Sequence, residues 1–275
     1  MSQKDNKDHI ESLLRHAHLN IGDIEKVSVD NQLISKPRDY DNPVMEFLDF
    51  MSNPENFWFT CKYLLNVDLL PFQLCILQEL WERKFPMLIA TRGAGKTWIL
   101  ALYSLLRAFF HQGCKIIVIG AAFRLSKLLF EYMETFYKNS PVFRNMVGAG
   151  RGQGPKRDID RCTFYVGQSE IIAIPLGDGS KIRGLRANYI VADEFASIPQ
   201  EIFEVVIKGF GAVSANPADK VKEYAQIQKL KELGMHEEAE EIEGGLGFGN
   251  QTIIAGTAYY AFNHFYDYFV RQREI

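Results

Sequence analysis

Two short segments of this 275-residue chain carry side chains suited to phosphate chemistry. The first, Ala90 to Thr97 (ATRGAGKT), lies between an apolar run and a helical pattern. Glycines in such a loop let backbone N–H groups turn towards a phosphate, and the following helix directs its positive end to the same point. We therefore predict a phosphate-binding loop that binds ATP through Thr91, Arg92, Gly93, Ala94, Gly95, Lys96 and Thr97.

Within this loop we expect Lys96 to contact the β- and γ-phosphates and the Thr97 hydroxyl to ligate Mg²⁺. The Arg92 guanidinium can touch the γ-phosphate or a nearby acid. Ala90 stands where the motif has its first glycine, so that corner must keep ordinary backbone angles. The alternative is a chance glycine-rich turn, which the strand, the GKT sequence and the helix together disfavour.

The second segment, Asn188 to Glu194 (NYIVADE), is an apolar run that ends in two acids. Ligands of open α/β sheets bind at the carboxyl ends of the strands. We expect Asp193 to hold Mg²⁺, directly or through water, and Glu194 to act as general base on the attacking water. The pair of acids favours hydrolysis over simple nucleotide binding, and two solvated acids at a strand end are the alternative.

Further candidates lie outside these segments. The side-chain amide of Gln73, 23 residues before Lys96, can match the N6/N7 edge of adenine, or it can belong to an ordinary helix surface. Thr257 follows a late apolar run (QTIIAGT), where its hydroxyl can sense the γ-phosphate or simply lie in a polar turn. Arg183 in KIRGLR, or less favourably Arg186, can act as a finger on a neighbouring subunit's nucleotide, contact DNA or be ordinary surface.

The elements that must position these residues follow from the periodicity of the chain. Short apolar runs indicate buried strands at residues 87–90, 115–120, 188–192 and 251–255, and a hairpin at 162–166 and 170–176. Helical patterns cover residues 54–65, 71–83, 97–110, 123–137, 199–210 and 262–273. Strands that alternate with helices predict an α/β fold in which helices cover both faces of a mainly parallel sheet. Together with the phosphate loop and the paired acids, this order fits a three-layer P-loop NTPase sandwich of the ASCE/RecA-like type, with a helical N-terminal arm.

Charge and composition narrow the class of protein without naming a partner. We predict an arm at residues 1–50, an ATPase domain at 51–275 and a charged helical insertion at 218–243. The net charge is −3, and because the insertion carries −4, the remainder is close to neutral at +1. This balance neither requires nor excludes DNA. The basic segment 151–157 (RGQGPKR) can contact DNA phosphates or be a solvated loop.

Several other classes are disfavoured. A chain that is 47% hydrophobic and 24% charged is typical of a folded protein. No apolar run approaches the ~20 residues of a membrane span, so we expect no membrane partner. The four cysteines lie far apart without a CxxC pair, which argues against a zinc site or a disulfide framework. The first residues lack the pattern of a signal peptide, so we expect a cytosolic setting.

The phosphate loop, the upstream Gln73, the run GDGSKIRGLRANYIVADEFA and the late IIAGTA together resemble the ATPase domain of the large terminase subunit of tailed bacteriophages, over about residues 54–270. This resemblance implies an ATPase that pumps double-stranded DNA into a procapsid. It also implies a homo-oligomeric ring, usually of five subunits, at the portal in the bacterial cytoplasm, with the portal protein and the small terminase subunit as partners.

The resemblance also implies roles for individual residues. Lys96 and Thr97 match the Walker A motif, with Arg92 as its arginine, and Asp193 and Glu194 match Walker B. Thr257 matches the coupling motif, Gln73 the adenine-binding motif and Arg183 the arginine finger that acts in trans.

Two rival functions and one departure remain. A helicase-type DNA-dependent ATPase needs a second RecA-like domain, for which 275 residues leave no room, and a non-motor P-loop NTPase has no use for Glu194. Large terminases also carry a nuclease domain built on acidic metal ligands. After Thr257 the acids are Asp267 and Glu274 alone, so we expect this chain to be an ATPase fragment or a motor without a nuclease of its own.

Overall fold

The computed structural model describes residues 43–120, 122–148, 152–159, 161–175, 187–203, 228–229, 231, 250–257 and 263–273. The strands are β1 Met87–Ile89, β2 Lys115–Gly120, β3 Gly154–Arg157, β4 Cys162–Val166, β5 Ser169–Pro175, β6 Tyr189–Asp193 and β7 Gln251–Gly256. The helices are α1 Pro43–Ser52, α2 Phe57–Leu65, α3 Pro71–Glu82, α4 Lys96–Phe110, α5 Phe123–Asn139, α6 Pro141–Val147, α7 Gln200–Ile202 and α8 His264–Arg273, with 3₁₀ turns at Pro54–Asn56 and Phe195–Ser197. Within these ranges, each helix is too short or too polar to span a bilayer.

All seven strands belong to one sheet, in the order β1-β7-β6-β2-β5-β4-β3. The first five are parallel to one another, β4 pairs antiparallel with β5, and β3 pairs antiparallel with β4. Ile89 lies opposite Gly256, and Gly120 lies opposite Asp193, so the strand ends that precede the candidate residues share one edge of the sheet. Strand β7 lies between β1 and β6. The mainly parallel α/β sheet predicted from the sequence is confirmed.

Helices cover both faces of this sheet because its central strands are apolar on both sides. Along β2, Ile116 and Val118 pack into one core with helix α4, whereas Ile117 and Ile119 pack into a second core that contains Phe265 of α8. Burying such a side chain contributes roughly 1.5–3 kcal/mol to the stability of the fold. The three layers predicted from the sequence therefore follow from strands that consist of continuous apolar runs.

A buried polar cluster fixes the amino end of β7. The Gln251 amide nitrogen donates to the carbonyl of Leu80, at 2.6 Å, and to that of Arg83, both near the end of α3. Its amide oxygen accepts from the Tyr103 hydroxyl of α4, which also accepts from the Arg107 guanidinium at 3.0 Å. Strand β7 is therefore anchored to both helices, which sets where its other end meets the start of α4.

Three elements were not predicted from the sequence. Helix α1 spans the boundary proposed at residue 50, and its Phe47 packs edge-on against Phe59 in the core. Helix α6 begins at Pro141, where the Ser140 hydroxyl accepts from the backbone of Phe143 at 3.1 Å. Strand β3 occupies part of the basic segment expected to be a flexible loop, because it pairs with β4.

Several predicted features fall outside the described residues. These are the arm up to residue 42, the loop that contains Arg183 and Arg186, residues 204–210 of a predicted helix, and most of the insertion at 218–243. Within the insertion, residues 228, 229 and 231 are helical and exposed. The proposed domain division therefore stays a prediction.

Candidate nucleotide-binding site

The loop between β1 and α4 turns by means of two glycines in left-handed conformations. Gly93 has φ 81° and Gly95 has φ 77°, which would cost another residue roughly 1–2 kcal/mol. Between them, the Ala94 N–H donates to the Thr91 carbonyl at 3.3 Å. At the start of the loop, Ala90 extends the ladder by donating to the Gly256 carbonyl at 3.2 Å, and it keeps a negative φ. The alanine in place of the first glycine is therefore accommodated without strain.

Helix α4 begins where this loop ends, and its first turn is suited to an anion. Gly95 is the N-cap and has no side chain to accept from the first backbone N–H groups. Those groups carry the positive end of the helix dipole. Phosphate oxygens are the natural acceptors for such a glycine loop and helix start.

Lys96 is a buried cation that is held by neutral oxygens. The residue is only 6% exposed to solvent. The ammonium donates to the carbonyls of Ala90 at 3.0 Å and Thr91 at 3.2 Å, and to the Thr257 hydroxyl at 3.1 Å. All three donors of the ammonium thus have an acceptor, and none of the three carries a charge. A phosphate oxygen would offer this cation a stronger partner.

Thr97 and Asp193 form the second part of the site. The Thr97 hydroxyl donates to one carboxylate oxygen of Asp193 at 2.6 Å, and the Glu194 N–H donates to the other at 3.0 Å. Burial raises the pKa of the Asp193 carboxyl, while these two hydrogen bonds oppose the shift. A hydroxyl beside a buried carboxylate offers the hard oxygen ligands that Mg²⁺ prefers, so the residues present fit the predicted metal.

We expect Asp193→Asn to stabilise the nucleotide-free chain while removing Mg²⁺-dependent hydrolysis. Because the pKa of Asp193 is raised on folding, the folded state holds its proton more tightly than the unfolded state. The free energy of unfolding therefore falls as the pH rises through that raised pKa. Above the raised pKa, the buried carboxylate is charged and destabilises the fold by its full amount. Asparagine has no charge, and its amide can still accept from Glu194 N–H and face the Thr97 hydroxyl.

At neutral pH this variant should gain about 1 kcal/mol, which raises the unfolding midpoint by roughly 2–4 °C. The midpoints of wild type and variant should converge as the pH falls and Asp193 takes up its proton. Thermal unfolding between about pH 4 and about pH 8 measures this difference. Two results would contradict the view that the buried charge of Asp193 destabilises the fold. One is a variant that is less stable than the wild type at neutral pH, and the other is a difference in midpoint that does not change with pH.

Glu194 has an unusual backbone for its residue type. It lies in the left-handed region at φ 50° and ψ 49°, at the junction between β6 and the 3₁₀ turn Phe195–Ser197. Such a conformation costs a residue with a Cβ roughly 1–2 kcal/mol and persists only where neighbours hold it. The Ser197 N–H donates to the Glu194 carbonyl at 2.9 Å, and the side chain is half-exposed next to Asp193.

Of the remaining predicted residues that the structure describes, Thr91 contacts this group through its backbone carbonyl, which accepts from Lys96. Thr91 and Arg92 are exposed in the loop. The Gln73 amide oxygen accepts from the Leu70 N–H at 2.9 Å and so caps the start of α3, while its amide nitrogen donates to none of the described residues. That nitrogen could donate to a ring nitrogen of adenine, and this role stays a prediction.

Both cations in the described part of the basic segment have a partner within the fold. Arg157 binds Glu134 through two hydrogen bonds, at 2.8 and 2.5 Å. Lys156 lies 4.7 Å from the centre of the Tyr165 ring. Since the Arg157 guanidinium is already paired, this strand adds no support to the DNA contact, which the sequence left open beside a solvated loop.

Residues at the start of α8 meet the Glu194 turn and were not selected from the sequence. The Asn263 amide nitrogen donates to the Ala196 carbonyl at 3.0 Å. Phe265 lies beside Phe195, with ring centres 5.6 Å apart. An asparagine before an aromatic helical run is a recognisable N-cap pattern. Its contact with Ala196 could not be read from the sequence, because the two residues are 67 positions apart.

Comparison with known proteins adds a fold but no sequence relative. No family model and no curated protein matches the chain. Among solved structures, the large terminase of bacteriophage HK97 matches with 14% identity and a TM-score of 0.50, over 76% of this chain and 38% of that one. A large terminase from a thermophilic bacteriophage matches with 11% identity and a TM-score of 0.50, over 74% of this chain and 43% of that one.

The large terminase ATPase domain of Thermus phage P74-26 also matches, with 14% identity and a TM-score of 0.47, over 77% of this chain and 73% of that one. At such identities the likeness to the HK97 protein and to the thermophilic phage protein establishes the fold alone, and it confirms the predicted P-loop NTPase architecture. The chain spans less than half the length of those two large terminases.

Proposed function

We propose that this chain is a Mg²⁺-dependent ATPase that powers the movement of double-stranded viral DNA into a procapsid. One observation carries the ATPase proposal. Residues far apart in the sequence meet in two contacts at one edge of the sheet, Lys96 with Thr257 and Thr97 with Asp193. A structural ion pair would have placed an acid on Lys96, whereas here its partners are neutral oxygens that a phosphate can replace.

In the proposed reaction, the glycine loop and the start of α4 bind the phosphates, and Lys96 neutralises the charge that develops on the transferred group. Thr97 and Asp193 would hold Mg²⁺, which would supply charge neutralisation and polarisation of the phosphate oxygens. Glu194 accepts a proton from the attacking water. Thr257 loses its hydrogen bond to Lys96 when the ammonium turns to a phosphate. Its hydroxyl would therefore have different partners in the free and the ATP-bound site, and this difference lies at the end of β7.

The packaging role rests on the sequence resemblance and on the fold shared with large terminases. By this resemblance we propose double-stranded DNA, the portal protein and the small terminase subunit as partners, and a ring of five copies at the procapsid portal in a bacterial cytoplasm. Gln73 would bind adenine and Arg92 would contact the γ-phosphate.

Phosphate release from Mg²⁺–ATP by the purified chain tests this function, with and without linear double-stranded DNA. We expect release that needs Mg²⁺ and rises when DNA is added. Release that DNA leaves unchanged would support an ATPase but oppose the motor. A chain that releases no phosphate under either condition would overturn the proposal.

We expect Arg183 to act in trans, on the nucleotide of a neighbouring copy. Arg183→Ala should then lower the rate about 10³-fold. Mixing Arg183→Ala chains with Glu194→Gln chains should restore part of the activity, because some interfaces then combine an intact Glu194 with an intact Arg183 from the neighbour. Arg186→Ala provides the matched control in the same loop. No recovery in the mixture would place Arg183 in its own subunit's site or in a structural role.

A further inference from the structure

The left-handed backbone of Glu194 needs support from outside its own turn. Within the turn, Ser197 and Ile198 donate to the carbonyls of Glu194 and Phe195, at 2.9 and 3.0 Å. These bonds close the turn but do not fix it against the sheet. Strained conformations at functional sites persist when the surrounding structure determines them, so the contacts that anchor this turn also set where the Glu194 carboxylate is presented.

Asn263 provides one such anchor through both ends of its amide. The oxygen accepts from the Phe265 N–H at 2.9 Å and caps helix α8. The nitrogen donates to the carbonyl of Ala196, in the middle of the turn, at 3.0 Å. One side chain therefore joins the start of α8 to the segment that follows Glu194.

Aromatic packing provides the second anchor. Phe195 is fully buried, and its ring is surrounded by rings of α8 and of the segment after α7. The ring-centre distances are 4.6 Å to Phe203, 5.0 Å to His264, 5.3 Å to Tyr268 and 5.6 Å to Phe265. Since Phe195 directly follows Glu194, a shift of α8 would move the backbone that carries the carboxylate.

The end of β7 closes the same group of contacts. A Cβ on Gly256 would lie 3.0 Å from the Phe265 ring and 3.5 Å from the Phe195 backbone nitrogen. The next residue is Thr257, which holds Lys96. The start of α8 therefore packs between the turn that follows Glu194 and the end of β7, next to the Thr257 that contacts Lys96.

We propose that Asn263 and Phe265 are positioning residues that hold Glu194 in its hydrolytic pose through the turn Phe195–Ser197. This inference rests on the proposed ATPase function. Neither residue touches the nucleotide in the proposed reaction, so each should affect the hydrolysis step and leave ATP affinity unchanged. A displacement of a reacting group by about 1 Å can cost up to roughly 10²-fold in rate.

The test separates the two ends of the Asn263 amide. Asn263→Asp keeps an oxygen that caps α8 but cannot donate to the Ala196 carbonyl, and Asn263→Ser keeps a cap with a shorter reach. We measure kcat for phosphate release, the Kd for Mg²⁺–ATP and the unfolding midpoint on the full chain. Both variants should lower kcat about 10-fold or more, with the Kd unchanged and the chain still folded at the assay temperature.

A double-variant comparison then asks whether Asn263 acts through Glu194. In a Glu194→Gln background, Asn263→Asp should lower the residual rate no further, because the carboxylate that it positions is gone. An equal loss in both backgrounds, a wild-type kcat in Asn263→Asp, or a loss that is explained by unfolding at the assay temperature would overturn the inference. If Glu194→Gln alone hydrolyses ATP at the wild-type rate, the proposed function fails as well; if it is inactive and Asn263→Asp is not, only the role of α8 fails.

Discussion

Glu194→Gln should bind Mg²⁺–ATP as tightly as the wild type and hydrolyse it about 10²–10⁴-fold more slowly. Glutamine keeps the size of the side chain but cannot take a proton from water. The backbone N–H that Glu194 donates to Asp193 is unaffected by the change. The metal ligand should therefore keep its position while the general base is lost, so the effect falls on kcat rather than on affinity.

Single-turnover phosphate release and equilibrium binding of a fluorescent ATP analogue separate these two quantities. Glu201→Gln is the matched control, since it makes the same chemical change at an exposed position of α7. That control should hydrolyse ATP at the wild-type rate. A Glu194→Gln variant that retains the wild-type rate, or one whose loss comes entirely from weaker binding, would contradict the role of Glu194 as general base.

Lys96→Ala should weaken ATP binding and lower hydrolysis about 10²–10³-fold. The ammonium is the buried cation that follows the phosphate loop, and its three neutral acceptors leave it available for phosphate oxygens. Removing it takes away a contact made both to bound ATP and to the charge that develops during transfer. Unlike Glu194→Gln, this change should therefore affect the Kd and kcat together.

The control for Lys96→Ala is Lys115→Ala, which removes a lysine that starts β2 at the opposite edge of the sheet and pairs with Glu170. Calorimetric titration with Mg²⁺–ATP gives the Kd of each variant, and thermal unfolding shows that each is folded. We expect weaker binding for Lys96→Ala alone. Equal affinity for the wild type and a folded Lys96→Ala variant would remove Lys96 from the phosphate site.

The contacts at the candidate site could be anticipated because parallel strands bring their carboxyl ends to one edge. Lys96 and Thr257 are 161 residues apart, and Thr97 and Asp193 are 96 apart, yet each pair follows strands that the sequence marks by short apolar runs. The two left-handed glycines were also foreseeable, since only glycine takes that conformation without cost. The order of the strands and the glycine loop were therefore enough to predict that Lys96, Thr97, Asp193 and Thr257 lie close together.

Other features depend on packing that has no local signature. Strand β3 has the sequence of a glycine-rich basic loop and forms because β4 offers it a partner. The left-handed backbone of Glu194 is unusual for a residue with a Cβ, and the contacts that hold it come from Asn263 and Phe265, far along the chain. Helix α1, in contrast, did have a signal in the sequence, because the apolar residues Phe47 and Met51 are spaced four apart as on one face of a helix. Both are buried in the structure.

The central claim is that this chain hydrolyses ATP with Mg²⁺ at the group formed by Lys96, Asp193 and Glu194. Single-turnover phosphate release from the wild type and from the double variant Lys96→Ala/Glu194→Gln, each with Mg²⁺ or with EDTA, tests it most directly. We predict release by the wild type with Mg²⁺ and background release in the other three reactions. Equal release by the wild type and a folded double variant, or release that persists in EDTA, would contradict this claim.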